Sequence, residues 1–182
     1  MSLFLIIFLI SKEVDTFSFG YKLVNSAKEY IGVPYKFDGR NRDGLDCMGV
    51  IFLAYSKVTG KRWQNLSVYP SKLVKSGELG KPIEWFDVKV IEEDTSYTEK
   101  LKVGDIIYFL SPFFEIKDEP LAIINGVKYW PWHMGIYCGK DSVLHANPIP
   151  NENTPASVII ESLKELIKRT KTTTKAILVT RK

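Results

Sequence analysis

Helical patterns gathered in the first third of the chain and strand patterns in the rest predict an α+β fold. Two stretches with helical spacing, Tyr21–Ile31 and Val50–Val58, carry the first part, and alternating or continuous apolar runs after Leu101 carry the second. Length and composition suit one domain with a sizeable core: 182 residues, 45% hydrophobic and 25% charged. The net charge of +4 is spread along the chain without a basic cluster, which describes a solvated surface and not a nucleic-acid footprint.

Taken in order, Leu3–Ile10 is an uncharged apolar run followed at once by Ser11-Lys12-Glu13. It is far shorter than the roughly twenty residues a spanning helix needs, so no stable membrane span is expected. Its length suits the core of an export signal, although a basic leader and a small-residue cleavage site are missing. The alternative is an apolar strand or helix packed on the domain. Residues 1–20 are therefore expected to be a separate apolar segment and candidate export signal, and residues 21–182 the domain.

Tyr21–Ile31 places Leu23, Val24, Ala27 and Ile31 on one face, with Gly32 closing the helix and Pro34 stopping it. A turn, Asn41-Arg42-Asp43-Gly44, runs into a second helical stretch through Val50, Leu53, Ala54 and Val58, ended by Thr59-Gly60. Between Gly60 and Lys100, Pro70–Gly77 suggests a short capped helix, Val88–Ile91 a strand, and the charged 92–96 a solvated loop. Leu101–Leu110 reads as a turn and a buried strand. Residues 111–132 hold three prolines with Phe113, Phe114, Tyr129, Trp130 and Trp132, either the wall of a cleft or a loop folded on its own core. A β-hairpin follows over residues 132–146, turning at Gly139-Lys140-Asp141. Then come a loop (148–153), a strand (158–160), a short helix (163–168) and a closing strand (176–180).

Cys47 falls in the first turn of the second helix. Unpaired N–H groups and the positive end of the macrodipole favour negative charge there, so the thiol is expected to ionise more readily than a free cysteine. By itself it reads first as a small buried core residue, as most free cysteines are. The chain's two histidines change the balance. His133 and His145 stand on the two arms of the hairpin, about equally far from its turn, so they are expected to be cross-strand neighbours whose rings touch. Alternation sets His133, Gly135 and Tyr137 on one face and Met134, Ile136 and Cys138 on the other, which makes Cys138 a buried core residue. A helix-borne thiol near paired imidazoles supplies a nucleophile, a base and an orienting group.

Four segments together resemble the NlpC-type cell-wall peptidases, a bacterial branch of the papain-like cysteine peptidases. They are Ala27–Tyr35, Leu45-Asp46-Cys47-Met48-Gly49, Leu101–Phe109, and His133–Tyr137 with Leu144-His145-Ala146, in the family's order. The chain departs from the family's pattern at Met48, usually serine, at Asp38-Gly39, usually Gly-Gly, and in longer stretches on either side of Gly104-Asp105. The resemblance implies a papain-like fold, with N-terminal helices bearing the cysteine packed on a central antiparallel sheet bearing the histidines. It implies a catalytic set of Cys47, His133 and His145, with Tyr35 beside the cleft, Asp46 as a grip for a substrate amine and Asp105 as a structural residue. The implied substrate is the peptidoglycan stem peptide, cut between D-glutamate and the diamino acid, with no cofactor and no metal. Three other readings compete: a thiol amidase or acyltransferase on the same fold, a zinc site built from Cys47, His133 and His145, and a catalytically silent wall-binding module.

Overall fold

The computed structural model describes residues 18–94 and 96–182, so the apolar run at the N-terminus lies outside the described residues. Helix α1 (Phe19–Lys28) begins where Ser18 Oγ accepts from the Tyr21 N–H. It ends a turn earlier than the apolar spacing predicts, and Ile31, expected on its buried face, is half exposed. Tertiary pairing explains the difference. Gly32 N–H donates to Val158 O and Val158 N–H to Val33 O, both near 2.9 Å, so the chain leaves the helix to join a strand edge.

A two-rung hairpin follows, β1 (Arg40–Asn41) and β2 (Gly44–Leu45), its turn held by Asn41 Oδ1 accepting from Asp43 N–H at 2.9 Å. Helix α2 (Cys47–Thr59) is capped by Asp46 and closed by Gly60 at φ 72°, the left-handed cap expected there. Helix α3 (Pro70–Ser76), ending on Gly77, also matches expectation. Next come β3 (Lys81–Asp87), α4 (Val88–Glu93) and α5 (Tyr97–Lys100). The strand expected at 88–91 is thus a helix. Asp87 caps it through Lys89 N–H at 2.9 Å, and Val88 and Ile91, three apart, bury one helical face. An apolar run this short does not distinguish the two periods.

The remaining elements are β4 (Ile106–Ser111), β5 (Ala122–Ile124), β6 (Val127–Gly139), β7 (Ser142–Ala146), β8 (Val158–Ser162), α6 (Leu163–Thr170) and β9 (Ala176–Arg181). They form an antiparallel sheet in the order β3-β9-β4-β6-β7-β8, with β5 against β6. Helices cover both of its faces. On one, α1 and α2 pack through Leu23, Val50 and Phe52 onto Ile106, Tyr108, Met134, Ile136 and Leu144. On the other, α4, α5 and α6 pack through Ile91, Tyr97 and Ile167 onto Ile107, Phe109, Tyr137, Val143 and Ile177. Double coverage is why Ile106–Leu110 is a continuous apolar run and not an alternating one. Asp105, at the head of β4, is tied by both carboxylate oxygens to Arg181 on β9 at 2.7 Å, a structural clamp.

Candidate active site

Cys47 is placed by the hairpin before it. Asp46 Oδ1 accepts from Gly49 N–H at 2.6 Å and lies 2.5 Å from Arg40 Nη1. Gly49 is required: a Cβ there would stand 2.2 Å from Gly39 O. Tyr35 is locked alongside, its neighbours Pro34 and Lys36 bonded to Leu45 at 3.0 and 3.1 Å. Burial, with the nearby Cys47, Asp46 and Asp38, pushes the Tyr35 phenol up to about 12. Tyr35 and Asp46 therefore do stand at the cysteine, Asp46 as cap and ion-pair partner through one oxygen.

The histidines come from the opposite face of the sheet. A bulge in the β4–β6 ladder, where Phe109 pairs with His133 but Leu110 with Pro131, inserts Trp132 as an extra residue. Trp132 and His133 then lie on the same side, stacked at 5.1 Å between ring centres, both against Phe109. The aromatic stretch is thereby split: Trp132 supports the histidine, donating its indole N–H to Thr174 Oγ1 at 3.0 Å, whereas Phe113 and Phe114 point outward.

The cysteine reaches the histidine strand where two strands part. Tyr137 exchanges hydrogen bonds with the Gly104–Asp105 turn at 2.8 Å, so its backbone groups face the β4 side. Alternation turns the Met134 N–H to the β7 side. There the β6–β7 ladder has already stopped at Ile136↔Leu144, although both strands run on. The Cys47 sulfur lies against this Met134 N–H and that of Met48. The sulfur thus fills the end of an interrupted ladder, one residue along from His133.

His133 and His145 touch, though not as directly opposed residues. The register sets Gly135, not His133, opposite His145, and the missing side chain leaves room: a Cβ on Gly135 would stand 2.6 Å from Val143 Cγ2. The His133 ring leans across, edge to face, and its Nε2 lies 2.8 Å from His145 Nδ1. His145 Nε2 is in turn 2.7 Å from Glu161 Oε1, which accepts from Arg169 Nη2 at 2.6 Å. Glu161 and Arg169 were not among the expected site residues. An acid on the apolar strand 158–162, with an arginine eight residues on, is the only local signal for them.

Protonation differs from expectation. Burial pushes the Cys47 thiol up to about 12, and the Asp46 carboxylate adds to the rise, outweighing the Met134 and Met48 N–H groups that favour thiolate. The dipole at the helix start favours thiolate, but desolvation and the charge of the capping Asp46 oppose it more strongly. Burial, then the His145 ring and the Arg169 guanidinium, hold His133 well below the usual 6.5. Thiol and imidazole are therefore both neutral, and among the described residues no hydrogen bond joins them. Cys138 packs half-buried against the α1–α2 core, and burial raises its thiol to about 11. The donor set of the zinc reading is not assembled. Three of the four ring nitrogens are occupied by the His133–His145–Glu161 contacts, and no three His, Cys, Asp or Glu side chains converge among the described residues.

Comparison with known proteins agrees with this architecture. "Probable peptidoglycan endopeptidase LytE" of Bacillus subtilis (strain 168) is 29% identical over 125 residues, 69% of this chain and 26% of that protein, so the chain spans about a quarter of this relative's length. The NlpC/p60 domain of the peptidoglycan hydrolase SagA superposes with a TM-score of 0.53 at 21% identity, covering 90% of this chain and 98% of that one. RipD of Mycobacterium tuberculosis, a non-catalytic NlpC/p60 domain protein, superposes with a TM-score of 0.50 at 15% identity over 89% of this chain and 95% of its own. These structures share the papain-like fold expected from the sequence. A profile of the NlpC/P60 family matches residues 32–167, from the turn after α1 through the Cys47 helix and both histidine strands into α6, and the chain belongs to that family.

Proposed function

We propose that the domain, which begins at α1 two residues before the expected boundary at 21, is a cysteine hydrolase that cuts amide bonds in peptidoglycan stem peptides. The observation that carries the reading is the buried His133 Nε2–His145 Nδ1 contact at 2.8 Å, beside a helix-start cysteine. It leaves His133 Nδ1 as the ring nitrogen available to the thiol. The family and the LytE relative supply the substrate class.

In this mechanism His133 takes the Cys47 proton as the sulfur attacks the carbonyl carbon, and the Cys47 N–H helps hold the oxyanion. The imidazolium, steadied by His145, returns the proton to the departing amine. Water, deprotonated by His133, then releases the acyl group from sulfur. Because both groups rest neutral, the proton moves on demand when substrate closes the thiol–imidazole gap. Apo geometries of catalytic pairs are often loose in this way. Tyr35 borders the scissile bond, and Asp46, whose Oδ1 carries the cap and Arg40, offers Oδ2 to a substrate amine. On this reading the protein acts outside the cell membrane, where peptidoglycan lies, and the apolar run in residues 1–20 is its export signal. No helix among the described residues is long and apolar enough to cross a membrane.

The test is mass spectrometry of purified peptidoglycan fragments after incubation with the protein and with Cys47→Ala. Cleavage between D-glutamate and the diamino acid, absent in the variant, is the expected result. Release of the whole stem from the glycan would instead identify an amidase, and fragments bound but uncut would identify a wall-binding module.

A further inference from the structure

We propose that Glu161, held by Arg169, is a positioning residue that sets the tautomer of His133 through His145. The inference rests on the reading of Cys47 and His133 as nucleophile and base. The geometry is a line of four side chains that runs from the buried histidines to the partly exposed Glu161 and Arg169: His133 Nε2 to His145 Nδ1 at 2.8 Å, His145 Nε2 to Glu161 Oε1 at 2.7 Å, and Arg169 Nη2 to the same Oε1 at 2.6 Å. His145 is fully buried and His133 nearly so, which leaves the His133–His145 contact out of reach of bulk water.

Each link constrains the next. A carboxylate only accepts, so His145 carries its proton on Nε2. Neutral His145 then has a bare Nδ1, and the 2.8 Å contact requires His133 to donate to it from Nε2. Neutral His133 is left with a bare Nδ1, the nitrogen a base must present to a thiol. With the opposite tautomers the same two rings would make the same contact, and His133 would offer Cys47 an N–H instead of a lone pair. Glu161 breaks that degeneracy from the far side of the sheet.

Arg169 makes Glu161 an acceptor without leaving it a free negative charge. The guanidinium and His145 share the same Glu161 oxygen, so Arg169 holds that oxygen in line with the His145 ring. Arg169 is itself fixed at its other guanidinium nitrogen, Nη1, which donates to Ile149 O and to Asn147 Oδ1 in the loop after β7. The groups that face His145 are thus His133 from β6 and Glu161 from β8, with Arg169 from α6 behind.

The chain's two histidines make the test direct. Long-range 1H–15N spectra of the whole uniformly labelled protein at neutral pH report the protonation of all four ring nitrogens. In the wild type both rings should be neutral with the proton on Nε2. Removing Glu161 alone strands the Arg169 charge, so the loss variant is Glu161→Leu together with Arg169→Met. In it His133 should become a mixture of tautomers, and kcat on a stem peptide should fall on the order of 10²-fold with KM unchanged. Glu161→Gln, whose amide oxygen still accepts from His145 and Arg169, should keep both wild-type tautomers. A wild-type His145 that carries a proton on Nδ1 would overturn the proposal. So would unchanged tautomers in the folded Leu/Met variant. The spectra need no turnover, so a wild-type protein that cleaves nothing would count against the hydrolase reading alone.

Discussion

The two faces of the central sheet are both tightly packed, yet they contribute differently to the site. The α1–α2 face brings a single sulfur, that of Cys47, on a helix whose start is fixed by its cap, by Arg40 and by the close approach of Gly39 to Gly49. The α4–α6 face brings a polar line, His133, His145, Glu161 and Arg169, embedded among Phe109, Trp132 and neighbouring apolar side chains. An intact sheet would keep the two apart. The cysteine reaches the histidine strand because the β6–β7 ladder ends at Ile136↔Leu144, leaving the Met134 N–H for the sulfur, and Gly135 lets β7 pack close beside it. Sheet irregularity, a bulge on one side of His133 and a parted ladder on the other, is thus what builds the site.

The largest expected effect removes the contribution of either face outright. Cys47→Ala and His133→Ala should each abolish turnover, by analogy on the order of 10⁶-fold in kcat, and the double variant should be no worse than either alone. Additive losses, measured on the same stem peptide, would mean the two residues do not act as a unit.

His145 tests the polar line next. His145→Ala should cost on the order of 10³-fold, whereas His145→Gln should retain more activity. The glutamine oxygen can accept from His133 Nε2 while its amide N–H donates to Glu161, the polarity of the imidazole it replaces. Equal rates for the two variants would show that hydrogen bonding at this position does not matter. Wild-type rates in His145→Ala would remove it from the site.

The faces can also be compared in stability. Phe52→Ala on the helix face and Phe109→Ala beneath His133 should each cost about 3–5 kcal/mol in urea unfolding, since both side chains are fully buried. Only Phe109→Ala should also impair catalysis in the folded protein, because it removes the support of the His133 ring.

A smaller effect follows from His133 being buried in its neutral form. Its folded value lies well below the 6.5 of an exposed histidine, so below pH 6.5 the unfolded chain binds a proton that the folded protein refuses. This contribution to stability is complete above that pH and is lost as pH falls from 6.5 toward the lowered folded value, by at most about 1.4 kcal/mol per pH unit. Urea midpoints of the wild type and of His133→Gln, measured from pH 7.5 to 5, should therefore converge or cross toward acid. Parallel curves would show that His133 titrates normally.

The smallest effect concerns the thiol. Asp46→Asn keeps the cap and removes the charge that, after burial, does most to raise the Cys47 thiol. The thiol should then titrate below about 12 in ultraviolet thiolate absorbance. An unchanged titration would leave burial as the sole cause.

What could be read in the chain itself is whatever short stretches specify. Capping and glycine signals located α2, α3 and the hairpin because a cap or a turn involves residues a few positions apart. Cys47 at a helix start and two histidines on adjoining strands are of the same local kind, and four ordered motifs were enough to reach the family. Local pattern failed where distant partners decide. Val88–Ile91 became a helix because Asp87 caps it and α6 receives its apolar face, and the end of α1 was drawn off by Val158. The rest of the site exists only in three dimensions. Glu161 and Arg169 are 16 and 24 residues beyond His145, and no short-range rule joins them to it. The thiol's protonation reverses the helix-start expectation because desolvation sums over everything packed around the sulfur, most of it remote in sequence.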